Sequence, residues 1–256
     1  MKTFLAFMKK EMMEQRRSGK LIILCILFIL LGIMNPALAK MIPWLLEMMA
    51  DTLAGSGIVF MPVSVSAMDS WTQFFKNIPM GLIAFILVES SIFTREYQTG
   101  TLLLSLTKGL ERYKVVIAKT AVSVFLWTAG YWLCAGITFG YNAFFWNNAA
   151  AQHLMFSLVC WWMFGLFAVA VMILFSTAAR SNTGVLAGTG IVVLIAYLAG
   201  LLPRLKEWTP ATLMDGTSLI YGLAEVQQYT AALAVTAVMI PACVAAGVAV
   251  FNKKQL

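Results

Sequence analysis

Six long apolar stretches, each near or above the length that crosses a lipid bilayer, dominate this chain of 256 residues. A spanning helix needs about 20 mostly apolar residues, because each residue adds about 1.5 Å of rise across about 30 Å of hydrocarbon. The sequence therefore predicts an all-α, polytopic membrane protein with six transmembrane helices. The predicted spans are residues 21–39, 74–93, 115–140, 154–178, 185–202 and 229–251.

The basic residues predict the orientation of these spans, because lysine and arginine accumulate in the cytoplasmic loops of membrane proteins. With the N-terminus inside, the inside segments hold all but four of the 18 basic residues, and both termini are cytoplasmic. The net charge of +7 is then a topology signal. It does not indicate a nucleic-acid partner, since no basic patch alternates with aromatic residues. The four basic residues on the outside are Lys40, Lys76, Arg204 and Lys206.

Composition predicts a single transmembrane domain over residues 1–256. The chain is 61% hydrophobic and 11% charged, and its polar segments are too short for a separate soluble domain of ordinary size. The 4 cysteines all lie within apolar stretches, and none forms a CxxC pair. The sequence therefore indicates neither a disulfide framework nor a metal site.

The first 20 residues are predicted to form an amphipathic helix in the headgroup plane that leads into the first span. The competing interpretation is a signal peptide, with Ala37 and Ala39 marking a cleavage site. Glu11 and Glu14 argue against a signal peptide, and so does the helical periodicity of the segment. The residues that share the apolar face are Met1, Phe4, Leu5, Met8 and Met12.

The sequence contains only weak signals for a catalytic site. The sequence has no GxxxxGK[ST] loop to cradle a nucleotide phosphate. Ser218 with His153 could suggest an intramembrane serine protease, but the nucleophile-elbow pattern GxSxG fails, because Leu219 and Ile220 follow the serine. A turn and helix N-cap between Asp215 and Ser218 explains these residues better. The sequence therefore predicts no catalytic residue in this chain.

The loop at residues 94–114 carries the clearest functional signal. It is cytoplasmic by the charge rule, and Gly100 and Thr101 can end one helix and cap another. The following leucines give the new helix an apolar surface, which predicts either a protein partner or a position on the inner leaflet. Physical arguments alone leave these two interpretations equal.

This loop resembles the first cytoplasmic loop of permease subunits of ATP-binding-cassette (ABC) transporters, in the type-2 exporter superfamily of six-span permeases. The family loop reads like RE-x-x-x-GT-L, followed by an arginine and then a lysine at the start of the third span. Gly109 stands where the family commonly has proline. The matching residues are Arg95, Glu96, Gly100, Thr101, Leu102, Arg112 and Lys119.

The resemblance implies that this loop forms a coupling helix, and that these residues couple it to a cleft on a separate ABC-type ATPase subunit. That subunit would bind ATP and magnesium, so this chain would need no cofactor of its own. A second permease subunit, identical or different, would complete an alternating-access exporter in a bacterial plasma membrane. The substrate would be amphipathic, such as a peptide, an antibiotic or a lipid-like molecule. Residues 203–228 would form an extracellular re-entrant or interfacial segment.

Two further features have alternative interpretations. Glu89, near the inner end of the second span, is a possible functional carboxylate, because charged groups inside membranes are costly. A structural ion pair with Arg95 or Lys119 is the favoured role. Gly184 and Gly188 form a GxxxG pair that permits close helix contact, either within the subunit or at a dimer interface. The alternatives to a permease are a membrane-embedded enzyme, using Glu89 or the Ser218–His153 pair, and a membrane sensor or assembly protein.

Overall fold

The computed structural model describes residues 2–53, 65–107 and 111–254. Within these ranges the fold is all-helical, and six helical segments are long and apolar enough to cross a membrane. The predicted fold class and the six spans are thus confirmed. Gly109 lies outside the described residues. The spans are Lys20–Leu45, Ala67–Thr99, Arg112–Phe145, Leu154–Ala178, Asn182–Gly200 and Gln227–Lys253.

The helices are numbered here in chain order. They are α1 (Lys2–Arg17), α2 (Lys20–Leu53), α3 (Ala67–Glu89), α4 (Ser91–Thr99), α5 (Thr101–Thr107), α6 (Arg112–Phe145), α7 (Leu154–Ala178), α8 (Asn182–Gly200), α9 (Gly216–Ile220) and α10 (Gln227–Lys253). Short 3₁₀ turns cover Asn148–Ala150, Lys206–Trp208 and Pro210–Met214. The end of the bundle that contains α1, α4, α5 and the start of α6 is called the basic end below.

Helix α2 runs well beyond the predicted first span, because two prolines within it do not end it. Pro36 has no N–H, so the carbonyl of Gly32 loses its usual helical donor. The hydroxyl of Thr138 on α6 donates to that carbonyl at 3.1 Å, and Asn35 donates its side-chain N–H to the same hydroxyl at 3.1 Å. Side chains from the neighbouring helix therefore satisfy the backbone inside the membrane, as hydrocarbon requires.

Helix α7 forms the centre of the bundle. Of its most apolar window, 72% is buried inside the chain, compared with 11% for α8 and for α10. Gly165 on α7 lets the ring of Trp127 approach so closely that an added Cβ would lie 2.1 Å from it. The exposed apolar faces of α8 and α10 are suited to lipid or to another subunit.

Residues 203–228 fold back as short helices that pack on the bundle at the end opposite to the basic end. Leu213, Leu219 and Ile220 are fully buried there. The indole N–H of Trp161 donates to the carbonyl of Met214 at 2.7 Å. The segment is therefore a packed cap on the N-terminal part of α7 rather than a loose connection.

Candidate functional site: the coupling segment

Helices α3 and α4 present two buried carboxylates toward α1. Ser90 joins these helices in right-handed helical conformation, so α4 continues the path of α3. Glu89 and Glu96 are seven residues apart, about two helical turns, and therefore share one face. On α1, Glu11 and Gln15 are one turn apart and both are buried. A polar face of α1 thus meets a carboxylate face of α3 and α4.

Two lysines and two carboxylates close a ring at this contact, called here the carboxylate–lysine ring (Lys10, Glu11, Glu96 and Lys119). The ammonium of Lys119 lies 2.7 Å from Oε2 of Glu11 and 3.0 Å from Oε2 of Glu96. Lys10 lies 3.0 Å from Oε1 of Glu11 and 2.5 Å from Oε1 of Glu96. Each carboxylate therefore offers one oxygen to each lysine, and the ring is neutral. It joins α1, α4 and α6.

Lys119 is the most enclosed member of the ring, with only 1% of its side chain exposed. Its ammonium also donates to the backbone carbonyl of Ile92 at 3.0 Å. Removing one partner of a buried ion pair costs about 3–5 kcal/mol, because the remaining charge stays buried without compensation. The ring is therefore expected to hold α1, α4 and α6 together as one unit.

Lys10 occupies the place that a metal ion could take. The carboxylates of Glu11, Glu14 and Glu96 come close enough together to share a cation. The ammonium of Lys10 lies within 3.2 Å of all three, so it supplies the positive charge. Burial alone would lower the pKa of Lys10, but the hydrogen bond to Glu96 and the charge of Glu11 outweigh it and raise this pKa above its ordinary value. Lys10 is therefore charged at neutral pH.

Glu89 has different partners from those predicted. Arg95 and Lys119 were the expected ion-pair partners, but Oε2 of Glu89 accepts from the side-chain amide of Gln15 at 3.0 Å. Its Oε1 lies 4.0 Å from the ammonium of Lys20, the first residue of α2. Glu89 is fully buried. These contacts tie α3 to the junction of α1 and α2.

The turn between α4 and α5 depends on Gly100. This residue has φ +67, in the left-handed region where residues with a Cβ are strained. A Cβ added there would meet no atom of the described residues within 4 Å, so only the backbone restricts the position. The hydroxyls of Thr99 and Thr101 lie 2.9 Å apart across the turn.

The first residue of α5 that packs inward is Leu102. The sequence assigned it to an apolar surface for a partner or lipid, yet it is only 2% exposed and belongs to the core of its own chain. Leu106 is half-buried against the same core. Leu102 therefore holds α5 against the bundle. The side chains of Leu103 and Leu104 lie outside the described residues.

Arg112 and Lys254 join the helices around residues 94–114. Arg112 donates from Nη1 to the carbonyls of Phe251, Asn252 and Lys254, at 3.1, 3.3 and 2.6 Å, and so caps the end of α10. Lys254 in turn donates to the last carbonyls of α7, at 2.9–3.2 Å. Cations at these positions satisfy carbonyls that a helix leaves without donors.

The predicted coupling residues thus divide into exposed and buried sets. Arg95 and Thr101 are exposed, whereas Glu96, Leu102 and Lys119 are buried. The exposed residues are accessible on the surface of the chain, and the buried ones pack against its other helices. In the same region, the hydroxyl of Thr94 on α4 donates to the side-chain oxygen of Asn182 at the start of α8.

The GxxxG pair of α8 has an internal contact. A Cβ added at Gly188 would lie 2.3 Å from the ring of Phe175 on α7. Gly184 lies near Ala179 and Ser181, close to the N-terminus of its own helix. Gly188 therefore allows α7 and α8 to pack closely within one chain. The dimer-interface role stays a prediction.

Ser218 and His153 have different structural surroundings. The hydroxyl of Ser218 donates to Oδ2 of Asp215 at 2.8 Å, and its backbone N–H donates to Oδ1 at 3.2 Å. Asp215 is the N-cap of α9, as predicted. His153 is exposed at the start of α7, with φ +46. These contacts make Ser218 a hydrogen-bond donor to the N-cap of α9.

Sequence reasoning missed Lys10, Gln15 and Lys20 as members of this site. The signal that could have found them is the spacing of Glu11 and Gln15 at i, i+4, together with Glu89 and Glu96 at i, i+7. Both pairs place polar groups on the faces of helices that are otherwise apolar. Buried polar groups need partners, so two such faces at the same membrane depth are expected to meet.

Comparison with known proteins agrees with this architecture. Residues 5–256 match the family model described as "ABC-2 family transporter protein". The chain is also 25% identical, over 215 residues and 82% of each chain, to the "Uncharacterized transmembrane protein YxlG" of Bacillus subtilis (strain 168). The class defined by the fold and the site is therefore a multi-pass transporter subunit. The chain belongs to the ABC-2 family of transporter proteins.

Proposed function

We propose that this chain is the permease subunit of an ABC exporter in a bacterial plasma membrane. A separate ATPase subunit would bind ATP and magnesium and dock at the coupling segment (residues 94–114). Two permease subunits, identical or different, would then alternate between inward-open and outward-open states and export an amphipathic substrate. The family match supports the transporter role, and the geometry of the basic end supports the coupling.

The observation that carries the coupling proposal is the carboxylate–lysine ring. Helix α5 follows α4 through the Gly100 turn, and Glu96 on α4 is bound to both Lys10 and Lys119. A displacement of α4 would therefore move α1 and the start of α6 with it. Coupling requires that the ATPase contact differ in free energy between the two permease states. The ring would transmit a displacement of the docking segment to α1 and α6, so the ATPase contact would be linked to the arrangement of these helices.

The coupling proposal is tested by assembling the chain with candidate P-loop ATPase subunits of the same genome. Arg95→Glu changes an exposed charge at the docking segment, so it should weaken ATPase association while the permease stays folded. Arg204→Glu, an exposed arginine at the opposite end, is the matched control. Unchanged association and hydrolysis after combined substitution of Glu96, Gly100 and Arg112 would remove the coupling assignment.

A requirement for ATP hydrolysis on a separate subunit distinguishes the permease hypothesis from the enzyme hypothesis. The purified chain should neither bind nor hydrolyse ATP, and hydrolysis should appear only with the ATPase subunit. Ser218→Ala and His153→Ala should leave transport intact, because the Ser218 hydroxyl donates to Asp215, the N-cap of α9, and His153 is exposed. Hydrolysis of any substrate by the chain alone, lost in Ser218→Ala, would favour the protease.

The proposed orientation places both termini and α5 in the cytoplasm. Single cysteines at Asn147 and Asp215, introduced after replacement of the native cysteines, should react with an impermeant thiol reagent in whole cells. A cysteine at Thr107 should react only after the cells are opened. Ser56, a further predicted outside position, lies beyond the described residues. The reverse labelling pattern would invert the topology.

A further inference from the structure

An apolar groove opens between α6 and α10 at the basic end, where it adjoins the end of the coupling segment. Its volume is about 620 Å³. It exists because α10 presents small side chains and a proline here, while two larger residues of α6 form the other wall. The groove is lined by Tyr113, Ile117, Pro241, Val244, Ala245 and Val248.

The groove fits within one membrane leaflet. Its lining on α10 runs from Pro241 to Val248, about 10 Å along the helix axis, and α10 continues to Lys253, about 18 Å from Pro241. Half of the hydrocarbon thickness is about 15 Å. Tyr113 and Ile117 lie on the first turns of α6, at the same end. An acyl chain standing in the leaflet would therefore fit along the groove from its mouth to Pro241.

The mouth of the groove is positively charged. The ammonium of Lys114 lies 5.5 Å from the ring centroid of Tyr113, a lining residue, and 3.0 Å from Glu111. Arg112 bridges the start of α6 to the end of α10 through three backbone carbonyls. Lys253 is exposed at the end of α10, and Lys254 follows it. The helix ends that flank the groove thus carry four cations and one carboxylate, and of these cations only Lys114 pairs with that carboxylate.

We propose that the groove is a binding site for one anionic phospholipid, whose acyl chain lies against Pro241, Ala245 and Val248. The phosphate group would lie near Lys114 and Lys253. Basic pockets between helices at the membrane surface favour anionic headgroups, and the apolar lining excludes water from the chain. The bound lipid would touch both α6 and α10, the two helices that Arg112 joins beside the coupling segment. This site does not depend on the proposed transport function.

Native mass spectrometry of the purified full chain tests the site. After exchange into detergent containing equal amounts of phosphatidylglycerol and phosphatidylethanolamine, one phosphatidylglycerol per chain should be retained. Lys253→Gln should lower the preference for phosphatidylglycerol about five-fold, the loss expected for one basic residue at a membrane surface. Arg204→Gln, which removes an exposed cation from the opposite end, should leave the preference unchanged.

The apolar part of the site is tested by filling it. Ala245→Phe should abolish lipid retention, and Ala245→Leu provides a milder change if the larger variant does not fold. Val238→Phe is the matched control, because Val238 is 68% exposed on the same helix and does not line the groove. Equal retention of both lipids by the unmodified chain would overturn the headgroup assignment. Retention by both Ala245 variants, or disulfide formation between Ala245→Cys chains of a dimer, would overturn the lipid site.

Discussion

The two ends of the bundle differ in the part that pairs of charged side chains play in holding them together. At the basic end, α1, α4 and α6 meet through charged side chains, with Lys119 bonded to Glu11 and Glu96. At the opposite end, the cap over residues 203–228 is held by side chains that bond to backbone, such as Trp161 to the carbonyl of Met214. Tight apolar packing accompanies those bonds, for example between Gly216 and Phe75.

This difference indicates which end is suited to transmit movement. Backbone carbonyls and packed rings have one good arrangement, so the opposite end is expected to move as a unit. A ring of two lysines and two carboxylates can be strengthened or weakened by any charge that approaches α4. The basic end is thus where a partner could change the balance between the inward-open and outward-open states.

The largest effect is expected from Lys119→Met. This change leaves Glu11 and Glu96 buried with only Lys10 between them, so it should lower the free energy of unfolding by about 3–5 kcal/mol. Thermal unfolding of the purified chain in detergent measures the change. Lys114→Met removes a lysine from the exposed pair with Glu111, and it should leave the unfolding temperature nearly unchanged, because water screens such a pair. Equal effects of the two substitutions would mean that the ring does not hold the basic end together.

A smaller effect is expected at the opposite end from Gly216→Ala. The added Cβ would lie 2.3 Å from the ring of Phe75, so the cap must shift, at a cost of about 1–3 kcal/mol. Gly190→Ala is the control, because its Cβ would meet no described atom within 4 Å. The same unfolding measurement applies. If Gly216→Ala lowers stability but leaves ATPase stimulation unchanged, coupling depends on the basic end and not on the cap. Loss of ATPase stimulation would contradict this assignment.

Gly100→Ala should separate a cost in stability from a cost in coupling. Placing a Cβ at φ +67 costs about 1–2 kcal/mol. Gly19, between α1 and α2, has φ +76 and equally open surroundings among the described residues. Gly19→Ala should therefore destabilise the chain by a similar amount. Only Gly100→Ala should lower ATPase stimulation, and a matching loss in Gly19→Ala would show that coupling follows stability alone.

The spans were predictable because hydrophobic length is a property of the sequence alone. The extension of α2 to Leu53 was not, since its prolines are tolerated only where neighbours such as Thr138 satisfy the backbone. The partner of Glu89 could not be deduced either. Arg95 is near in sequence, but Glu89 faces α1, and the pairing with Gln15 depends on how that helix packs.

The coupling residues show the same limit. The loop motif located the segment, but it treated Glu96, Leu102 and Lys119 as parts of one docking surface. Their burial depends on the arrangement of α1, α4 and α6 in space, which the motif does not contain. A motif thus identifies which residues act together, while the packing decides which of them face a partner and which support the others.

Glu89→Gln should have the smallest effect of the series and compares two carboxylates on one helix face. Glu96 bonds two lysines, whereas Glu89 bonds Gln15 and lies 4.0 Å from Lys20. The amide keeps an acceptor for Gln15 and removes a buried charge whose ion pair is long, so stability should change by less than about 1 kcal/mol. Glu96→Gln, by contrast, weakens both lysine contacts and should resemble Lys119→Met. Both variants are measured for thermal unfolding and for transport with the ATPase subunit. If Glu89→Gln folds normally but abolishes transport, Glu89 is a functional carboxylate that moves a proton, and the structural role assigned here is wrong.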